Sequence, residues 1–369
     1  MFKNKKKISL LLDLGTDTLK SLIFQFNDPK IKILNFEEEK IQRYSIFNGE
    51  SFELDIIRRP LKKITKKFDN KKEFSKIPTH LFFTPHLLRA EILNLSFKRK
   101  LKDEKIDKEE NKQIQEFILN KSREELFKKQ GVEIEILKKE ILIKKIDGYR
   151  VSSFLNLNGK NLTFKVLVVF TTKQNFNFIQ KIKESLNFKD LKIFHPIEPL
   201  INFTKRQFFN EEVFIFIDIG EKNTLIYFFK NKEIEFVSNF NFGGFEFTQE
   251  LSKILNLKKE RAEILKEDFS LKRLSLETEK RLEKILQPIL KSWLENLKKE
   301  VKQSFNLSFW PTTYLFGGGS LLPLIKEGLN KELKIKRVKF LLPNELPIEN
   351  QSKIKFSTKE TSSLLKIFI

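Results

Sequence analysis

The sequence predicts an α/β fold built from two duplicated α/β domains, with a third, smaller unit inserted in the first. Three observations predict it. The stretches LLDLGTDTLKSLIF and FIDIGEKNTLIYFF each run apolar strand, Asp-x-Gly, polar turn, apolar strand, and they stand in opposite halves of the chain. TTYLFGGGSLLPLIKEGL then gives strand, glycine turn and helix late in the second half. Between 86 and 171 a strand, a charged helix and further strands form a unit of their own, flanked on both sides by buried-strand patterns.

Taken in order, residues 8 to 26 read as a hairpin, 31 to 36 as a third strand, 53 to 70 as a basic amphipathic helix and 78 to 84 as a buried strand. A strand over 88 to 97 leads into a charged amphipathic helix that ends near 130. Two or three strands follow in 132 to 170, with turns at Asp147-Gly148 and Asn158-Gly159. After a helix near 174 to 187 and a short strand at 191 to 194, the opening hairpin recurs as EVFIFIDIG and LIYFFKN. A turn at Asn231-Lys232 and a strand to Asn241 complete it, and helices at 246 to 256, 258 to 268 and about 275 to 304 come next. In the last of these, Leu282, Ile285, Leu286, Ile289, Leu290, Trp293, Leu294 and Leu297 make a core-facing stripe. Pro288 is expected to kink or break it. The expected domains are 1–85 with 172–210, the insertion 86–171, and 211–369.

Composition narrows the function classes. Of the 369 residues 40% are hydrophobic, which supplies real cores and excludes wholesale disorder. Cysteine is absent, so disulfides and thiolate chemistry are excluded. No apolar run approaches the roughly 20 residues of a membrane-spanning helix. The start MFKNKKKISLLLDLG is basic then apolar, but it runs straight into Asp13 and Gly15, so it reads as a first strand behind a basic tip. The net charge of +22 is lysine spread along the chain, which argues against a nucleic-acid partner and suits weak attraction to an anionic membrane surface. His80, His86 and His195 stand apart from one another and read as packed or surface residues.

The chemistry lies in the loops. In each Asp-x-Gly hairpin the Asp ends a buried strand and the Gly permits a tight turn whose backbone N–H groups can face a phosphate. Asp13 and Asp218 can then hold Mg²⁺, directly or through its water shell. Gly317-Gly318-Gly319-Ser320 lies at a strand-to-helix junction, where consecutive glycines let the backbone pass flat against a bound group.

With these loops the chain resembles the actin-like ATPases. Asp13, Gly15, Thr16 and Lys20 match that family's first phosphate loop. Asp218, Gly220 and Thr224 match the second, and Gly317, Gly318 and Gly319, followed by Ser320, the adenosine loop. Glu198 in HPIEPLINF resembles the residue that positions the attacking water. Gly243-Gly244 resembles the glycine pair that opens a helix beside the nucleotide. Glu263 and Lys266 resemble the helix face that contacts ribose and base, though an i,i+3 surface ion pair is the plainer reading. The resemblance implies an actin-like ATPase fold around a nucleotide cleft. It also implies ATP and Mg²⁺ as ligands, with Asp13, Asp218 and Glu198 as the catalytic set.

The insertion narrows the resemblance to the FtsA family of division proteins, whose 1C subdomain it is similar to, and to the related PilM family of pilus assembly proteins. The FtsA resemblance implies an adaptor on the cytoplasmic face of the cell membrane that links the tubulin-like FtsZ ring to it. Partners would be FtsZ, other divisome membrane proteins and further copies in a filament. The PilM resemblance implies a short membrane-protein peptide as partner. A small-molecule kinase of the same fold is the third reading, and the first half lacks the Asp, Asn and His cluster it needs. Two departures stand out. Glu221-Lys222-Asn223 replaces the small residues usual in the second loop, which points to ATP binding with slow or no hydrolysis. The end TSSLLKIFI is compatible with an amphipathic membrane turn or with the closing segment of the fold.

Overall fold

The computed structural model describes residues 8–16, 18–27, 29–41, 76–186, 188–207, 211–304, 310–352 and 354–369. The helix expected at 53–70 lies outside them. The chain divides into two compact units, Leu87–Ile182 and the remainder, Met1–His86 with Lys183–Ile369.

In the larger unit two sheets repeat one plan. Strand β1 (Ile8–Leu14) pairs antiparallel with β2 (Thr18–Asn27), and β2 with β3 (Lys30–Lys40). β1 also runs parallel to β4 (Thr79–Phe83), and β4 to β9 (Leu191–Phe194). The second sheet repeats this with β10 (Val213–Ile219), β11 (Thr224–Lys230) and β12 (Glu233–Phe240) as the antiparallel meander. There β13 (Thr312–Phe316) and β14 (Val338–Phe340) are the parallel strands. β1 and β10 are central and covered on both faces, which is why each reads as a continuous apolar run rather than an alternating one. The turn into β12 places Asn231 and Lys232 both at positive φ, as a two-residue hairpin requires.

Over the second sheet, α4 (Gly244–Ile254), α5 (Lys259–Ser270) and α6 (Leu276–Ser304) close a core with Ile215, Ile217, Ile219, Ile226 and Leu315. α6 runs unbroken through Pro288, contrary to a break there. Leu282 and Leu286 before the proline, and Leu290, Trp293, Leu294 and Leu297 after it, are all buried, so packing holds both halves in one helix. After α7 (Pro323–Glu332) and β14 the chain leaves the second sheet: β15 (Ile348–Asn350) pairs with β3 at the edge of the first. This pairing covers the otherwise open β3 edge with a strand from the expected 211–369 segment.

The chain then enters α8 (Thr358–Leu365), where Ser357 and Glu360 form a capping box. Leu364, Leu365, Ile367 and Phe368 are buried, which fits a closing segment of the fold and not a turn with an exposed apolar side.

The smaller unit is a four-stranded sheet in the order β5-β8-β6-β7. Its strands are β5 (Arg89–Lys98), β6 (Ile134–Ile146), β7 (Tyr149–Arg150) and β8 (Asn161–Thr172). Helix α1 (Lys108–Gln130) packs Ile114, Ile118 and Leu126 with Val166, Val168 and Phe170 of β8. Asp107 caps its start through the Glu110 amide, and Gly131 at φ 67° ends it. The guanidinium of the buried Arg99 binds both carboxylate oxygens of Glu110, each at 2.6 Å, and donates to the Gly159 and Glu104 carbonyls. The unit extends past the expected boundary at 171 because it takes in most of α2 (Lys173–Leu186).

Candidate functional site

Strand register puts the two aspartates at equivalent positions. Asp13 stands opposite Lys20 on β2 and beside Phe82 on β4; Asp218 stands opposite Leu225 on β11 and beside Phe316 on β13. Both turns close alike, with Gly15 N–H donating to Thr18 O and Gly220 N–H to Asn223 O, each at 2.9 Å. A cavity of about 700 Å³ lies against them, in the size range of small-ligand sites.

Each carboxylate is 7% exposed, so each needs partners. They come from α8 and its cap. Lys366 Nζ lies 2.6 Å from Asp13 Oδ1, and Ser363 Oγ donates to Asp13 Oδ2 at 2.6 Å. Ser362 Oγ donates to Asp218 Oδ2, also at 2.6 Å. Burial pushes the Asp13 carboxyl up, but the Lys366 and Lys20 charges and the two hydrogen bonds outweigh it and hold it below the ordinary value. Burial raises Asp218 to about 6, with the Asp13 charge adding to the rise and Ser362 and Lys366 opposing it.

The expected site residues fall into two groups. Asp13, Gly15, Thr16 and Lys20 line the cavity, as do Asp218, Gly220, Gly244, Glu263, Lys266 and Gly317 to Gly319. Thr224, Gly243, Ser320 and Glu198 are not among its lining residues. Thr224 lies on the strand face opposite Asp218. Its hydroxyl donates to Phe242 O at 2.7 Å and accepts from Trp293 Nε1 at 3.0 Å inside the core. Thr224→Val is therefore expected to cost about 1–3 kcal/mol in urea unfolding, because Trp293 loses a buried acceptor, while ligand affinity stays unchanged. Ser320 is fully buried and donates to Gly317 O, closing the glycine turn from within. Glu198 accepts the His195 N–H at 2.7 Å, so its carboxylate caps the start of its own helix, α3 (Ile197–Arg206).

The glycine pair docks α4 onto the second loop. Gly244 N–H donates to Gly220 O and Phe245 N–H to Glu221 O, while Gly243 N–H donates to Glu246 Oε2. A Cβ at Gly243 would stand 2.5 Å from Gly220 O, so the approach needs glycine. Lys266, 6% exposed, donates to Gly244 O and pairs with Glu263, both at 2.9 Å, and reaches Glu221 Oε2 at 3.9 Å. The i,i+3 pair is thus real, but it is buried rather than on the surface. It also explains the odd second loop, since the Glu221 charge is opposed by an ammonium.

Sequence reasoning missed Ser362, Ser363, Lys366 and Lys359, all cavity-lining residues of the closing segment. The Ser357-x-x-Glu360 capping box was the signal for a helix start there.

A nucleotide fits this site. The cavity is large enough, Lys20 and Lys359 supply cations, and Gly318 meets nothing closer than Lys359 Cγ at 3.7 Å where a Cβ would stand. Direct ligation of Mg²⁺ by Asp13 does not fit the arrangement. Both oxygens of Asp13 are bonded to α8-segment donors, one of them an ammonium.

Two sheets of one topology, each presenting an Asp-x-Gly turn to a single cavity, define the actin-like ATPase fold. Solved structures share it. MreB 5 of Spiroplasma citri bound to AMPPNP matches at TM-score 0.50 and 10% identity over 90% of this chain and 91% of its own. The ethanolamine utilization protein EutJ from Carboxydothermus hydrogenoformans matches at 0.50 and 12% over 90% and 84%. A structure of the PilM-PilN type IV pilus biogenesis complex matches at TM-score 0.67 and 16% identity, over 92% of this chain and 90% of its own. Within the fold, the model of the type IV pilus assembly protein PilM matches residues 200–364. The cell division protein FtsA of Streptococcus pneumoniae serotype 2 (strain D39 / NCTC 7466) is 29% identical over 152 residues. That match takes in 36% of this chain and only 33% of the relative's length. No helix among the described residues is long and apolar enough to cross a membrane.

Proposed function

We propose that the chain is an ATP-binding adaptor of the PilM kind, which engages a membrane-protein peptide at the inner face of the cell membrane during pilus assembly. The observation that carries this is the likeness to the PilM-PilN structure over 92% of the chain, and the PilM match over 200–364 agrees with it. In this reading Gly317 to Gly319 receive the adenosine, and the turns at Gly15 and Gly220 with Lys20 receive the phosphates. Hydrolysis is slow or nil, because the Glu198 carboxylate caps its own helix.

The FtsA-type division adaptor, with FtsZ, other divisome proteins and filament formation, is the second reading, and the 29% identity to the streptococcal FtsA favours it. The Leu87–Ile182 unit is the candidate partner surface in both. The small-molecule kinase gains nothing from the site.

Calorimetry with ATP is the first test. Gly318→Asp, which adds a carboxylate at the cavity wall, is expected to weaken binding about tenfold or more. Absence of adenine-nucleotide binding by the folded protein at millimolar ligand would refute the reading. Capture of a PilN-type cytoplasmic peptide is expected; co-sedimentation with FtsZ instead would transfer the function to the division ring.

A further inference from the structure

We propose that Lys366 is a tethered cation standing in for a divalent ion beside Asp13, so that nucleotide phosphates bind this pocket without Mg²⁺. The inference rests on the nucleotide-binding reading above and deepens it. Its ground is the set of donors on the two carboxylates. Lys366 Nζ is 2.6 Å from Asp13 Oδ1, Ser363 fills Oδ2, and Ser362 fills Asp218 Oδ2.

A hydrated Mg²⁺ is bound through one or two carboxylates and its own waters. To ligate Asp13 directly it would have to compete with the ammonium on Oδ1 or the hydroxyl on Oδ2. Displacement of the ammonium would leave Lys366, 7% exposed, as an unpaired buried charge, which is strongly unfavourable.

Lys366 can instead do the ion's electrostatic work. An ammonium has three donors, and Asp13 is its one hydrogen-bond acceptor among the described residues. The other two N–H groups belong to a side chain that lines the cavity together with Lys20. A lysine ammonium is a well-suited point charge for phosphate oxygens. The placement is also firm: Lys366 follows directly on α8, whose end is packed by the buried Leu364, Leu365, Ile367 and Phe368.

The test is calorimetric titration of the full chain with ATP, once in excess EDTA and once in excess Mg²⁺. The expected dissociation constants agree within about threefold. In Lys366→Met, binding in EDTA is expected to weaken about tenfold or more, and Mg²⁺ to restore part of it through the freed Asp13 carboxylate. Wild-type binding that requires Mg²⁺ would overturn the inference and leave the ATP-binding function standing. Equal weakening of Lys366→Met in both buffers would overturn the exchange of lysine for metal. No binding in either buffer would refute the nucleotide reading itself. Should Lys366→Met fail to fold, the wild-type comparison decides alone.

Discussion

Asp13→Ala is expected to lower the stability of the folded chain by about 3–5 kcal/mol, because it strands the Lys366 ammonium in a buried site. Both side chains of the pair are 9% exposed, so water cannot take over the lost contact. Lys366→Met added to Asp13→Ala is expected to recover much of the loss, since the charge that needed a partner is then gone. Urea unfolding of the four proteins gives the coupling as a double-mutant cycle. Additive effects would mean that the pair is not the unit the geometry makes it. Asp13 also accepts from Ser363, while the adjacent Ser362 serves Asp218. The closing segment thus ties the two phosphate-type loops together, and loss of Asp13 should loosen both.

That tie was the part of the site the sequence did not reveal. Asp13 and its α8-segment partners are separated by 350 and 353 positions, and no local pattern reports a contact across that span. The hairpins were legible for the opposite reason. Each Asp, its Gly and the returning strand lie within a few residues, so strand periodicity and turn chemistry specify them together. The duplication then announced the fold.

Thr224 is an intermediate case. In register it opposes Ile219, whereas Asp218 opposes Leu225. Strand alternation alone therefore turns Thr224 to the helix-covered face and away from the carboxylate's. Matching it to a motif overlooked that parity. Glu198 was legible as an acidic residue at a helix start, and its bond to the His195 amide is what that position favours with no ligand at all. The buried cluster of Lys266 with Glu263 and Glu221 needed the α4 to α5 packing to bring its members together.

Gly317→Ala is expected to cost about 3 kcal/mol or more and to abolish ATP binding, while Gly318→Ala, one residue on, is expected to be nearly neutral for stability. Gly317 adopts φ 85° and ψ 162°, a region essentially restricted to glycine. A Cβ there would stand 2.3 Å from Asp218 Oδ1 and 2.6 Å from Ile219 O. Neither atom can retreat. Ile219 O belongs to the end of a central strand, and Asp218 is fixed through its other oxygen by Ser362. The third glycine is confined as well, its Cβ meeting Ile219 Cγ2 at 2.5 Å.

Gly318 differs in both respects. Its φ is not in the left-handed range, and its nearest neighbour would be Lys359 Cγ at 3.7 Å, an ordinary contact. Denaturant midpoints with unchanged m-values would separate the two variants. A Gly317→Ala protein as stable as wild type would mean that the strand end and the glycine turn do not meet as described. A destabilised Gly318→Ala would mean that its surface is closed, and with it the wall assigned to the nucleotide.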